Sequence, residues 1–323
     1  MRSKFILSLT VFLTLHIVSA QPTFKNPEKK TDISSAGDKI IAEAPMTAEI
    51  AEFNIRWHVQ GGETAKASGG VVQSMSVIID LQDQEFMQQM TDKIYDEFKK
   101  ELSSAGYSLS EKSYDHYPTL KKWSKELEGA KKEEDKPAVN RGGAVYDPKD
   151  DYVSGGAWIT RPSNLQWIYW PGGAVGAASL SSAVAMASMK DPNFQQKVPE
   201  FRVTMIVRHV DFKTGLAAGG SIGTAAVKYE LELALEGTIT ASHMNEKMKS
   251  GYITVSPNKL YYNGIDWVNE SSAEDFSLLG SGKNVTTVAL KKDAYESAVL
   301  GLFSEAINAS VDGLVTKMSE LKK

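Results

Sequence analysis

The sequence predicts an α+β (mixed α/β) fold, a sheet of largely amphipathic strands with packed helices and a long C-terminal helix. Three observations carry that prediction. Residues 227–235 alternate Val227, Tyr229, Leu231, Leu233 and Leu235 with Lys228, Glu230 and Glu232, the two-residue period of a strand with one apolar and one wet face. Residues 84–105 repeat Phe86, Met90, Ile94, Phe98 and Leu102 at every fourth position, one side of a helix. Residues 291–321 set Tyr295, Val299, Leu302, Phe303, Ala306, Ile307, Val311, Leu314 and Met318 along one face of a second long helix.

Taken in order, the chain opens with Arg2 and Lys4 before an apolar run over residues 5–18 that closes on Val18-Ser19-Ala20. That run of about 14 residues is short of the ~20 a membrane-crossing helix needs, and its small terminal residues suit signal peptidase. Residues 1–20 therefore read as a secretory signal cleaved before Gln21, with an uncleaved N-terminal anchor as the alternative. Residues 21–47, with Pro22, Pro27, Lys29, Lys30, Ser34, Ser35 and Gly37, carry few apolar side chains and read as a flexible tether. Residues 48–323 read as one globular domain.

Within it, Phe53, Ile55, Trp57 and Val59 alternate with Asn54, Arg56 and His58, a strand with one buried face that Gly61-Gly62 ends. A second strand is expected over residues 75–81, and Gly106 should stop the helix that follows. Tyr107 and Leu109 mark a short strand, and a polar helix is expected over residues 117–134. Residues 141–200 form an irregular insertion rich in glycine and aromatics, with a small-residue helix over 174–188 bearing Leu180, Val184 and Met189 inward. Phe201, Val203, Met205 and Val207 alternate along another strand; residues 237–242 extend the strand at 227–235, and shorter strands fall at 252–255 and 260–262.

Composition closes off several chemistries. With Cys 0 there is no disulfide, thiol nucleophile, Cys-ligated metal or lipidated cysteine. Mean hydropathy of -0.27 argues against a polytopic membrane protein. Removing residues 1–20 takes two bases and no acid, moving the formal net charge from -4 to -6. The runs Lys121-Lys122 and Lys131-Lys132 are interleaved with Glu126, Glu128, Glu133 and Glu134, so no basic face for nucleic acid is expected.

Gly219-Gly220-Ser221-Ile222-Gly223 matches the serine-hydrolase elbow in letters, but a loop precedes Ser221 and a strand follows, the reverse of what that elbow requires. His58, His116, His209 and His243 include no pair four residues apart on a helix, and Asp147, Asp150 and Asp151 lack the calcium-loop spacing, so no metal is expected. No Walker or dinucleotide fingerprint occurs, so no nucleotide or other cofactor is expected. Asn269, Asn284 and Asn308 begin N-x-[ST] triplets. Trp158, Trp167, Tyr169 and Trp170 are the candidate ligand- or partner-binding residues. An aromatic cluster among Gly155, Gly156, Pro162, Pro171, Gly172 and Gly173 is either a binding platform or the lid of a core, and large aromatics more often supply burial.

A strand before Gly215-Leu216-Ala217-Ala218-Gly219-Gly220 that resumes as Val227-Lys228-Tyr229-Glu230-Leu231, together with the helix ending near Gly106 and the closing segment 295–314, resembles the curli-secretion channel (CsgG-like) family. The topological resemblance covers residues 48–321. It implies periplasmic α/β domains that feed small-residue hairpins into an outer-membrane barrel, in a non-catalytic envelope protein assembling into rings. Family members are typically anchored through a cysteine after the signal, which this chain lacks, so it is expected to be exported to the periplasm, outer membrane or surface of a Gram-negative-type bacterium without a lipid anchor. The expected role is a non-enzymatic one in assembly or secretion through protein partners or self-association, with outer-membrane association open. A soluble binding module using the aromatic surface is the alternative, and a hydrolase with Ser221 a second one.

Overall fold

The computed structural model describes residues 21–66, 72–113, 138–147, 155–169, 198–216, 225–247, 249–278 and 281–323. The helices expected over 117–134 and 174–188, together with Ser221, His116, Asp150, Asp151 and Trp170, fall outside the described residues.

The architecture is α+β, with two mixed sheets and three helices among the described residues. The larger, ten-stranded sheet has the order β1 (Pro22–Phe24), β12 (Leu260–Tyr262), β10 (Ala225–Met244), β9 (Glu200–Leu216), β3 (Thr47–His58), β8 (Ala157–Tyr169) and β7 (Ala138–Asp147). Three short strands complete it: β11 (Ser250–Pro257) on β10, β2 (Thr31–Ala36) on β11, and β6 (Ser108–Glu111) on β3. The smaller sheet runs β13 (Val268–Leu278), β14 (Ser281–Leu290), β5 (Val72–Ile79) and β4 (Gln60–Lys66). Most neighbours are antiparallel; β3 runs parallel to β6 and β9, and β14 parallel to β5.

Both long helices pack on one face of the large sheet. In α2 (Gln84–Ser104) the fourth-residue stripe buries Met90, Ile94, Phe98 and Leu102 as the spacing predicts. The Asp83 carboxylate accepts the Phe86 N–H at 3.0 Å to cap its start, and Gly106 at φ 97 ends it in the left-handed region that glycine tolerates. Phe53 on β3 meets the Tyr95 ring edge-on at 5.2 Å, seating α2 on the sheet. The 30-residue helix α3 (Lys292–Leu321) is long and apolar enough to cross a membrane by length and composition. Its stripe from Tyr295 to Met318 is instead buried against the sheet and the other helices, as in a core helix. Three polar side chains that enter this core are linked to one another: Trp57 Nε1 donates to Thr160 Oγ1 at 2.8 Å, and Thr160 and Thr91 share a 2.6 Å hydrogen bond.

Four expectations are corrected. Residues 21–47 are not a tether: they form β1, β2 and α1 (Asp38–Ala42), with β1 on β12 and β2 on β11. Backbone pairing on a sheet edge orders this polar segment where side-chain burial alone would not, and Ile41, 1% exposed, anchors it. Secondly, β3 is buried on both faces, because its polar side carries paired charges instead of solvated ones. Gly61-Gly62 does not end the strand region either. The chain breaks at Val59 and continues through both glycines as β4 of the smaller sheet, where a Cβ on Gly61 would come within 2.8 Å of the Phe212 ring. Lastly, the described parts of the insertion at 141–200 are regular, being the antiparallel pair β7–β8 and the start of β9.

Candidate functional site

Three places concentrate chemistry. The first is the polar face of the large sheet, away from the helices. Register puts Glu52 beside Arg202, Asn54 beside Thr204 and Arg56 beside Ile206 across β3 and β9. Glu52, only 3% exposed, lies 3.9 Å from Arg161 of β8 and 3.8 Å from Arg202, and Arg202 is 3.2 Å from Glu200. Glu200 in turn pairs with Lys112, just beyond β6, and both are buried. Glu49 stands beside this chain of charges; burial raises its carboxyl above the ordinary range, an effect Lys112 opposes. Charges removed from water are tolerated only when paired in this way, so the arrangement reads as a structural network that fixes the register of β3, β8 and β9. A cleft of about 300 Å³ opens further along the same face between Thr204, Glu236, Thr238, Ser256 and Lys259. Its charged groups are already engaged, Glu236 with Arg208 at 2.5 Å and Lys259 with Glu232 at 2.7 Å.

A second place is the buried cluster around His209. Its Nδ1 lies 2.7 Å from the His58 carbonyl and its Nε2 2.8 Å from the Tyr295 hydroxyl. Burial pushes the imidazole down to about 4 and the Tyr295 phenol well up. Both rings are within 1% of full burial, away from solvent.

The third is the start of β8, where Trp158 pairs across the ladder with Tyr146 of β7 and their rings lie 5.3 Å apart. Trp158 packs against the core from a half-buried position, its indole N–H enclosed without a hydrogen-bond partner among the described residues. Tyr146 is 40% exposed and donates to Gln60 Oε1 at 3.2 Å. Its ring fits because residue 156 is glycine: a Cβ there would sit 2.1 Å from the tyrosine oxygen. The turn before β8 also leans on Gly155, at φ 140, whose Cβ would meet the Gln60 carbonyl at 2.0 Å.

Of the predicted aromatic set, Trp158 and Trp167 stand at separate points of the β7–β8 ladder. Trp158 pairs with Tyr146 and Trp167 with Asn140, six residues apart along β7, a separation of roughly 20 Å at ~3.3 Å per residue. Tyr169 lies two residues further along the same strand. Between the two ends β8 bulges over residues 162–165, held by α2: Asp92 accepts the Ser163 N–H at 2.8 Å, and Gln88 donates to the Arg161 carbonyl at 2.7 Å. Tyr146, absent from the sequence reading, is the exposed member of the pair. Its only signal was the alternation of Ala144 and Tyr146 after Gly142-Gly143, too short to stand out.

Of the histidines in the described residues, His58 and His209 are buried, and His243 is partly buried with its imidazole lowered by desolvation. Among those residues no group of three or more His, Asp or Glu is arranged to hold a metal ion. Asn269 is on β13, Asn284 on β14 and Asn308 on α3. No protein-family model, no curated protein and no solved structure matches the chain.

Proposed function

We propose that this is an exported, non-catalytic cell-envelope protein that works in assembly or secretion through protein contacts, self-association included, as the signal-like residues 1–20 and the resemblance to the curli-secretion channel family suggest. The observation that supports protein contact is the outer edge of β7. This ten-residue strand ends the sheet order and pairs only with β8 among the described residues; of its backbone groups, the Gly143 N–H donates to Gln88 of α2. It contains no proline or lysine, the residues that commonly blunt an edge, and it presents Tyr146 on top of Trp158. An added strand would gain backbone hydrogen bonds from the edge and an apolar anchor from the tyrosine.

The test is mass photometry of the full-length mature chain at micromolar concentration, beside fractionation of the envelope. The expected result is a defined oligomer, or a stable partner co-fractionating with it, that Tyr146→Lys disperses without changing far-UV circular dichroism. A strict monomer with no co-fractionating partner refutes the reading.

A further inference from the structure

The chain passes between its two sheets at several points, and three of them converge on one side chain. β3 ends at His58 and re-enters as β4 after Val59. Trp267 stands immediately before β13, and Tyr295 lies in the first turn of α3, which follows β14. His209, on β9, touches all three: Nδ1 is 2.7 Å from the His58 carbonyl, Nε2 is 2.8 Å from the Tyr295 hydroxyl, and its ring is centred 6.1 Å from the Trp267 ring. Trp267 is fixed in turn by donating from Nε1 to the Gly264 carbonyl at 2.9 Å, and its own carbonyl accepts the Lys291 N–H at 2.8 Å.

A carbonyl can only accept, so Nδ1 carries the hydrogen and Nε2 accepts from the Tyr295 hydroxyl. Both ring nitrogens are satisfied only in the neutral form. A proton on Nε2 would place a second donor against the Tyr295 O–H, forcing that hydroxyl to turn its own hydrogen into the core. The titratable groups facing the ring are His58 from β3 and Tyr295 from α3. Trp267 carries no charge, and among the described residues the side-chain charge acting on the imidazole is the like charge of His58. Among the described residues no carboxylate offsets the cation.

We propose that neutral His209 is the pin of the joint between the two sheets, and that acid releases it, loosening the four-stranded sheet from the ten-stranded one while each keeps its own ladders. The sign follows from linkage. Burial lowers the folded imidazole to about 4 from its ordinary 6.5, so the opened state takes up a proton that the closed state does not. The joint is at full strength above pH 6.5 and weakens by up to about tenfold per pH unit down to about 4. This inference is independent of the β7 edge and of any partner.

Hydrogen exchange, corrected for the intrinsic pH dependence of the amides, tests it on the full chain between pH 7 and pH 4.5. Residues 268–290 should lose at least tenfold more protection than residues 201–207, and His209→Gln, which cannot titrate, should remove that difference. Equal loss in both segments, or a difference that persists in the variant, overturns the proposal. Should His209→Gln fail to fold, ¹³C-histidine NMR of the unmodified protein decides. Protonation of His209 together with loss of the amide signals of residues 268–290 supports the pin, and protonation that leaves those signals intact overturns it.

Discussion

Replacing Ile41 by alanine asks directly whether the N-terminal segment is part of the fold. Ile41 is 1% exposed and is the only residue of α1 that is buried. The substitution removes three carbons, worth about 2.4 kcal/mol at ~0.8 kcal/mol each. A cavity term adds to this wherever the surroundings cannot collapse. Here they cannot do so easily, because backbone closes in on the site: a Cβ on Gly251 would lie 3.0 Å from the Ile41 nitrogen and 2.5 Å from the Gly37 carbonyl. The expected loss is about 3–4 kcal/mol in urea unfolding followed by circular dichroism. Amide protection should fall in residues 31–36, which pair with β11. A loss below about 0.5 kcal/mol, the size of an ordinary surface substitution, would refute the docking of this segment.

Other outcomes follow from single contacts. Ser310 is fully buried on α3 with its hydroxyl unpartnered among the described residues, so Ser310→Ala should stabilise the protein by about 1 kcal/mol in the same urea assay. Gly237 on β10 faces the Thr204 carbonyl so closely that an added Cβ would stand 2.3 Å from it and 2.8 Å from the Met205 Cα; since backbone must move, Gly237→Ala should cost about 1–3 kcal/mol or more. Asp83 caps α2 and pairs with Lys292 at 2.6 Å, which together hold its carboxyl below 3.8. Asp83→Ala should therefore lower the melting temperature at neutral pH, and the gap from the unmodified protein should close as the pH falls through that depressed value.

What could be read in advance was whatever depends on local period. The stripe from Phe86 to Leu102, the alternation from Val227 to Leu235 and the face from Tyr295 to Met318 each appear where the spacing put them. The elements that escaped are those made by pairing over distance. β13 reads Val-Asn-Glu-Ser-Ser-Ala-Glu-Asp-Phe, without the alternation of a half-buried strand, and is ordered by its ladder with β14. The polar residues Glu52, Asn54 and Arg56 looked like a wet face because nothing local reveals that Arg161 and Arg202, more than 100 residues away, would meet Glu52. The aromatic residues were visible as a composition, but the spacing of Trp158 and Trp167 along β8 depends on the bulge at 162–165 and on the clamp from α2. Tyr146 acquires its place only once β7 lies on β8.

The pairing of β1 with β12 and of β2 with β11 also sets an order in time. Pro22 meets Tyr262 and Ala36 meets Tyr252, so the partners of these first strands emerge from the ribosome more than 210 residues later. The first strands made are among the last to be placed, and such long-range closure slows folding. Throughout that delay the stretch Thr31-Asp32-Ile33-Ser34-Ser35 must stay extended without sticking to other chains. Its hydrophilic character, which hides it as a strand in the sequence, is what suits it to the wait.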